Sequence, residues 1–124
     1  MEESILTSIK KLLGISEEYE NFDTDIIIYI NTVFAVLNQL GVGPAKGYRI
    51  KDSSNVWSEF IPADDPRFEH VKTYTYLRVR TLFDPPSTSS IQNAMKMVQD
   101  ELEFRITITP EINSTEEAEN QNGS

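Results

Sequence analysis

Apolar residues recur three or four positions apart in four stretches of the chain. This spacing predicts amphipathic helices over residues 4–13, 25–40, 66–83 and 89–107. In the second stretch, the β-branched run at 26–28 would by itself suit a strand. The apolar stripe nevertheless continues to Leu40, so it indicates a helix that ends at Gly41. The pattern therefore predicts an all-α fold, a bundle of four helices.

Residues 41–63 interrupt this pattern between the second and third helices. Three glycines and Pro44 exclude a regular helix at the start of the segment. Residues 48–51 alternate in polarity as in a short strand, and residues 56–61 suit one helical turn that closes the end of the bundle. We therefore predict a loop or a short β-hairpin insert. Trp57 has two interpretations: a plug in the core, which we favour because large aromatic side chains dominate burial, or an anchor for a partner.

The third predicted helix has apolar or long amphipathic side chains on two of its sides. We therefore expect it to be sandwiched, with one side on its own bundle and the other on a neighbouring subunit. The first side comprises Val71, Thr75, Val79 and Leu82, the second comprises Tyr76, Leu77, Arg80 and Phe83, and Tyr74 and Arg78 lie between them.

The segment Asp84-Pro85-Pro86 must end the third helix. Proline cannot donate a backbone hydrogen bond, and it pushes the preceding residue out of the helical region. Ser89 followed by Gln92 has the spacing of a capping box, so we expect the last helix to begin there and to form an αα-hairpin with the third. Its predicted apolar stripe is Ile91, Met95, Val98, Leu102 and Arg105.

Residues 110–124 differ in composition from the rest of the chain. They contain four acidic residues, no basic residue and one large apolar residue, Ile112. Such a segment cannot bury enough apolar surface to offset the entropy lost on ordering. We therefore divide the chain into a helical domain over 1–109 and an acidic tail over 110–124, which we expect to be disordered.

Charge and hydropathy exclude two classes of partner. The 124 residues include 11 basic and 20 acidic side chains, a formal charge of −9, whereas sequence-independent DNA binding needs clustered Lys and Arg. The longest apolar run, residues 26–30, is far shorter than the ~20 residues of a membrane span. The N-terminal Met-Glu-Glu lacks the pattern of a secretory signal. We expect a small, acidic, soluble intracellular protein.

Nothing in the sequence predicts a catalytic residue, a metal site or a cofactor. There is one histidine, His70, and no cysteine, and no metal-binding or hydrolase motif surrounds His70. The acidic pairs Asp64/Asp65 and Glu101/Glu103 are expected to be solvated charge. The sequence therefore does not support an enzyme.

Arg78 and Arg80 leave two possibilities open. Arginine is enriched in protein interfaces because its planar guanidinium forms several charge-assisted hydrogen bonds. The alternative is an internal salt bridge to Asp84 or to the last helix.

The stretch VKTYTYLRVRTLFDPPS, residues 71–87, with the later ELEFRI at 101–106, resembles the head–tail connector (adaptor) proteins of tailed bacteriophages with long non-contractile tails. Those proteins tend to carry Tyr-x-Tyr-Leu-Lys/Arg-Val-Arg-Leu-x-Phe-Asp-Pro-Pro and then a helix ending in Glu-Leu-Glu-Trp-Arg-Leu. Phe104 takes the tryptophan place and Ile106 the last leucine place. The resemblance covers residues 5–108, and its most specific part is the Phe-Asp-Pro-Pro segment.

The resemblance implies a structural protein of the virion neck, made in the host cytoplasm during assembly. It implies a ring of identical subunits, dodecameric in the virion, beneath the portal protein. The ring would join the portal to the stopper (head-closure) and tail proteins and line a channel through which DNA passes without sequence-specific binding. The tail after Pro110 would order on docking to the portal.

On this basis we expect one set of side chains to make subunit or portal contacts, and a second set to have structural roles. The first set is Tyr74, Tyr76, Arg78, Arg80 and Phe83, and the second is Trp57, Asp84, Pro85 and Pro86. Two alternative functions belong to other classes: a small regulatory α-helical module that binds a host protein, and a hydrolase, which would need a pocket with clustered titratable groups.

Overall fold

The computed structural model describes residues 3–109, so the tail predicted at 110–124 lies outside the described residues. It contains four α-helices, α1 (Ile5–Leu12), α2 (Asp23–Gln39), α3 (Phe68–Phe83) and α4 (Ser89–Ile108), and a short 3-10 helix at Trp57–Glu59. No strand occurs between residues 3 and 109. The predicted all-α fold with four helices is confirmed.

Helix α3 is the centre of the subunit, because it packs against α1, α2 and α4. Helix α4 packs mainly on α3, so α2 and α4 lie on different sides of it. Each large apolar side chain buried in this core contributes roughly 1.5–3 kcal/mol. The fully buried members include Ile5, Ile9, Ile26, Ile30, Leu37, Val71, Tyr74 and Val79.

The 41–63 insert is a loop, and residues 48–51 do not form the short strand that their alternation suggested. The side chain of Asn31 takes the place of a partner strand. Its Oδ1 accepts the Ile50 N–H at 2.8 Å, and its Nδ2 donates to the Ile50 carbonyl at 3.1 Å. Asn38 holds the start of the insert in the same way, by donating to the carbonyls of Val42 (3.1 Å) and Pro44 (2.8 Å).

Aromatic side chains join the insert to the bundle. The rings of Phe34 on α2 and Phe60 stack with centroids 3.9 Å apart. Trp57 is 3% exposed, and its indole N–H donates to Ser8 Oγ on α1 at 2.9 Å. Gly43 passes so close to the Phe60 ring that an added Cβ would lie 2.6 Å from it. The insert therefore completes one end of the core.

The starts of α2 and α3 and the cap of α4 differ from the predicted ones. Helix α3 begins at Phe68, and Pro66 lies in the preceding turn. Helix α2 begins at Asp23, two residues before the predicted start, and the Asp23 carboxylate lies 2.8 Å from the buried ammonium of Lys10. Helix α4 begins at Ser89 as predicted, but Ser89 is its first residue and not its N-cap, so the capping box is not formed. The side-chain amide of Gln92 instead donates to the Pro86 carbonyl at 2.5 Å.

The buried stripe of α4 is rotated relative to the predicted one. Gln99, Leu102 and Ile106 are buried, whereas Ile91 and Val98 are exposed. The prediction was right for Leu102 but wrong for Ile91, Val98 and Arg105. The reason is that Gln99, a polar residue, faces α3, where its amide donates to Thr81 Oγ1 at 3.0 Å and approaches the Leu77 carbonyl at 3.4 Å. Hydropathy alone cannot identify such a buried amide.

Candidate interface surfaces

Tyr74 is a core residue, although it was expected to contact a partner. Its side chain is fully buried, and its hydroxyl donates to Glu103 Oε2 on α4 at 3.1 Å. Burial raises the pKa of Tyr74 to about 12; nearby Arg78 opposes this rise and Glu103 adds to it. The side chain holds α4 on α3 and is not accessible to another molecule, so we remove it from the interface set.

Arg78 lies directly outside Tyr74. Its guanidinium carbon is 5.8 Å from the centroid of the Tyr74 ring, within the range of a cation–π contact. The side chain is partly exposed. Tyr74 therefore positions the Arg78 cation at the surface between α3 and α4.

Arg80 and Tyr76 form a second pair on α3. The Arg80 guanidinium donates to the Tyr76 hydroxyl oxygen at 3.3 Å, and this hydrogen bond raises the pKa of Arg80. Within residues 3–109, neither Arg78 nor Arg80 forms an ion pair with a carboxylate. The internal salt bridge to Asp84 or to α4 is thus not formed, and both cations remain available to an anionic partner.

Phe83 belongs to an aromatic cluster that the sequence analysis missed. Its ring centroid lies 5.2 Å from that of Phe22 and 6.5 Å from that of Tyr29, and Phe22 contacts Tyr19 at 5.6 Å. Tyr19 and Phe22 are 45% and 40% exposed. They lie in a polar, acidic stretch with no helical periodicity, so no local signal marked them. The cluster gives the end of α3 a partly exposed apolar surface.

The Asp84-Pro85-Pro86 corner follows directly, and it separates α3 from α4. The Asp84 N–H donates to the Arg80 carbonyl at 2.8 Å, which closes the last turn of α3. Asp84 and Pro85 are exposed and Pro86 is half-buried. Pro85 and Pro86, together with Arg78, border a shallow pocket of about 570 Å³ between the two helices.

A groove of about 640 Å³ runs between α2 and the insert. Its α2 wall includes Ile28, Thr32 and Ala35, all exposed, and its opposite wall is formed by residues 47–50. These α2 positions lie opposite the face that packs on the core, because they are offset by half a helical turn from Ile26, Ile30 and Leu37. Sequence analysis missed this groove. The available signal was a pair of asparagines seven positions apart, Asn31 and Asn38, in the uncharged part of α2 after Asp25.

The outer face of α4 exposes three large apolar side chains. Met97, Phe104 and Ile108 are 72%, 62% and 60% exposed. They point away from α3, on the side of the helix opposite the buried Gln99, Leu102 and Ile106. Large apolar patches on a small subunit mark interaction sites.

A metal site would need several ligating side chains close together. Between residues 3 and 109, no three His, Cys, Asp or Glu side chains lie close enough together to hold a metal ion. Asp65, expected to be solvated, is instead buried against Arg67, with Oδ1 3.1 Å from Nε and Oδ2 3.0 Å from Nη2. No helix in this part of the chain combines the length and hydropathy that a bilayer crossing requires.

Comparison with known proteins gives one match. A family model described as "Phage connector protein" matches residues 5–113. No curated protein and no solved structure matches the chain significantly.

Proposed function

The chain belongs to the phage connector protein family, and we propose that it forms a ring beneath the portal, which joins the capsid to the stopper and tail proteins. A phage connector is a structural protein of the virion. The ring, its place below the portal and its channel for DNA are the parts that we propose. The match over residues 5–113 carries the proposal.

The surface of the subunit supports this role. A ring subunit needs apolar and charged faces for its neighbours. This subunit exposes large apolar side chains on α4, and its α3 carries two partly exposed arginines that form no ion pair with a carboxylate of residues 3–109. A ring closes through heterologous contacts, in which two different faces of each subunit meet. We propose that Tyr76, Arg78, Arg80 and Phe83 contact the portal or the next subunit, with Trp57 and the Asp84-Pro85-Pro86 corner supporting them.

Native mass spectrometry of the chain with its cognate portal protein tests the proposal. We expect many copies of the chain to bind one portal ring. In the virion we expect the ring formed by this chain to contain twelve copies. A double variant, Arg78→Ala with Arg80→Ala, should weaken the complex, whereas Lys96→Ala, which removes an exposed intrahelical pair with Asp100, should not. Failure of the wild-type chain to bind the portal would contradict the proposal.

The second candidate is a small regulatory module that binds a host protein. The same exposed apolar surfaces would serve it. It predicts a one-to-one complex with a host protein and no portal complex, so the same measurement separates the two functions.

A further inference from the structure

The α2–insert groove lies in the one long segment of the chain without acidic residues. Residues 26–51 contain three basic residues, Lys46, Arg49 and Lys51, and no Asp or Glu, although the chain as a whole has 20 acidic residues. All three basic residues are exposed. The groove itself is lined by uncharged side chains and by Arg49, and Ile28 on its wall is 55% exposed. It is therefore a groove of mixed apolar and amide character with Arg49 on its wall. Lys46 and Lys51 flank this wall in sequence, and the Glu59 carboxylate accepts a hydrogen bond from the Tyr48 hydroxyl on the same wall at 2.9 Å.

The outer face of α4 has the complementary character. Its exposed apolar residues Met97, Phe104 and Ile108 lie along one side of the helix. From residue 89 to the end, the chain contains seven acidic and two basic residues, and the four acidic residues beyond 109 have no basic residue near them in sequence. An apolar row leading into an acidic segment complements the exposed apolar side chains of the groove, Arg49 on its wall and the two lysines next to it in sequence.

Within residues 3–109, the outer face of α4 and the groove do not face each other. Helix α3 packs against both α2 and α4, and the groove lies on the face of α2 that points away from the core. Met97, Phe104 and Ile108 likewise point away from α3. The two surfaces thus lie on opposite flanks, which is the arrangement that a head-to-tail contact between copies requires.

We propose that the outer face of α4 and the acidic segment after it dock in the α2–insert groove of a second copy of the chain, so that this segment meets a neighbouring subunit and not the portal that the family resemblance implied. This proposal deepens the ring function proposed above and rests on it, because it names the two faces that meet. The apolar side chains of α4 cover the apolar wall around Ile28 and Ala35, and the acidic residues pair with Lys46, Arg49 and Lys51.

Site-specific cross-linking tests the contact directly, because the natural chain has no cysteine. One full-length variant carries Glu101→Cys on the outer side of α4, and the other carries Thr32→Cys in the groove. The two variants are mixed and treated with a short bis-maleimide. We expect a heterodimer at least fivefold more abundant than the dimer formed by either variant alone. Thr73→Cys, at an exposed α3 position outside both surfaces, replaces Glu101→Cys as the control. An equal yield with the control overturns the proposal.

Blocking variants give an independent test. Phe104→Asp should prevent the α4 face from docking, because it places a charge in the apolar row. Ala35→Arg should prevent the groove from accepting α4, because it fills the groove with a long charged side chain. Each alone should lose assembly, but an equimolar mixture should recover a one-to-one heterodimer, because one intact face of each kind remains. Both positions are exposed, and unchanged thermal midpoints would show that the variants fold. Charge pairing also predicts that Arg49→Glu lowers the cross-linked yield at least fivefold.

The outcomes separate this proposal from the ring function. If both blocking variants still assemble with the portal as the wild type does, the contact is wrong and the function stands. If the wild-type chain forms no portal complex but the 32–101 cross-link appears, the contact stands and the portal function is wrong.

Discussion

Lys10 and Arg67 are cations buried inside the subunit, and each connects a loop to a helix. Lys10 donates to the carbonyls of Glu17 (3.0 Å) and Tyr19 (2.8 Å) and lies 2.8 Å from Asp23 Oδ1. Arg67 forms two hydrogen bonds with the Asp65 carboxylate and donates to the Gly41 carbonyl at 3.1 Å. Removing one partner of such a pair leaves the other charge buried without compensation.

The Asp65–Arg67 pair predicts a specific pH dependence. Burial alone would raise the pKa of Asp65, but the hydrogen bonds and charge of Arg67 outweigh burial, so this pKa lies below its usual 3.8. The pair therefore stabilises the protein above about pH 4, and its contribution is lost as the pH falls through the lowered pKa. Asp65→Asn should lower the free energy of unfolding at pH 7 by about 3 kcal/mol.

Urea unfolding at several pH values measures this effect, with Asp64→Asn as the control, because Asp64 is exposed. The difference in unfolding free energy between the wild type and Asp65→Asn should become smaller below pH 4. A difference that stays constant down to pH 2 would show that the ionised carboxylate does not contribute.

Gly43 gives a second prediction at the residue scale. Its φ is +85°, and a Cβ there would lie 2.6 Å from the Phe60 ring, which is itself stacked on Phe34. Gly47 has a similar φ of +90° but open space around it. Gly43→Ala should therefore lower the free energy of unfolding by about 1–3 kcal/mol more than Gly47→Ala does, because the added methyl overpacks the site. Urea unfolding of the two variants measures this difference. Equal costs would mean that the Phe60 ring moves aside freely.

At the scale of elements, two helices carry features that packing alone does not require. Helix α2 presents asparagines that hold the insert, and α4 contacts the bundle through one narrow stripe while its apolar outer face stays exposed. The insert is thus held by α2, and α4 is held by α3. Each makes one of the two flanks that we propose to meet in the assembly.

Asn31→Ala tests how the insert is held. The substitution removes both partners of the Ile50 backbone, and a backbone group left without a partner costs about 1–3 kcal/mol. The Ile50 amide should then exchange with deuterium much faster, while amides in the middle of α3 keep their protection. Thr32→Ala, next to Asn31 and exposed, is the matched control. Unchanged protection at Ile50 would show that other contacts hold the loop.

At the scale of the whole molecule, the net charge is compatible with the proposed conduit for DNA. The formal charge is −9, and Arg49 of the insert lines the groove that we assign to a second copy. An acidic ring would let DNA pass without holding it, because phosphate binding depends on clustered cations.

We expect the purified chain not to bind duplex DNA at about 0.15 M salt, the physiological ionic strength. Changing the four tail glutamates to glutamine leaves 11 basic and 16 acidic residues, and this variant should not bind either. Fluorescence anisotropy with a labelled duplex measures both, and micromolar binding by the wild type would contradict a passive channel.

The sequence by itself determined the helices and the corner between α3 and α4. Apolar spacing and the two prolines act over a few neighbouring residues, so their effect is visible locally. Only the tertiary structure decided which side of α4 is buried, that Tyr74 belongs to the core and that Asp65 pairs with Arg67 under the end of α2. These outcomes depend on which side chains distant segments bring together, and a polar residue such as Gln99 is buried only because its partners on α3 satisfy it.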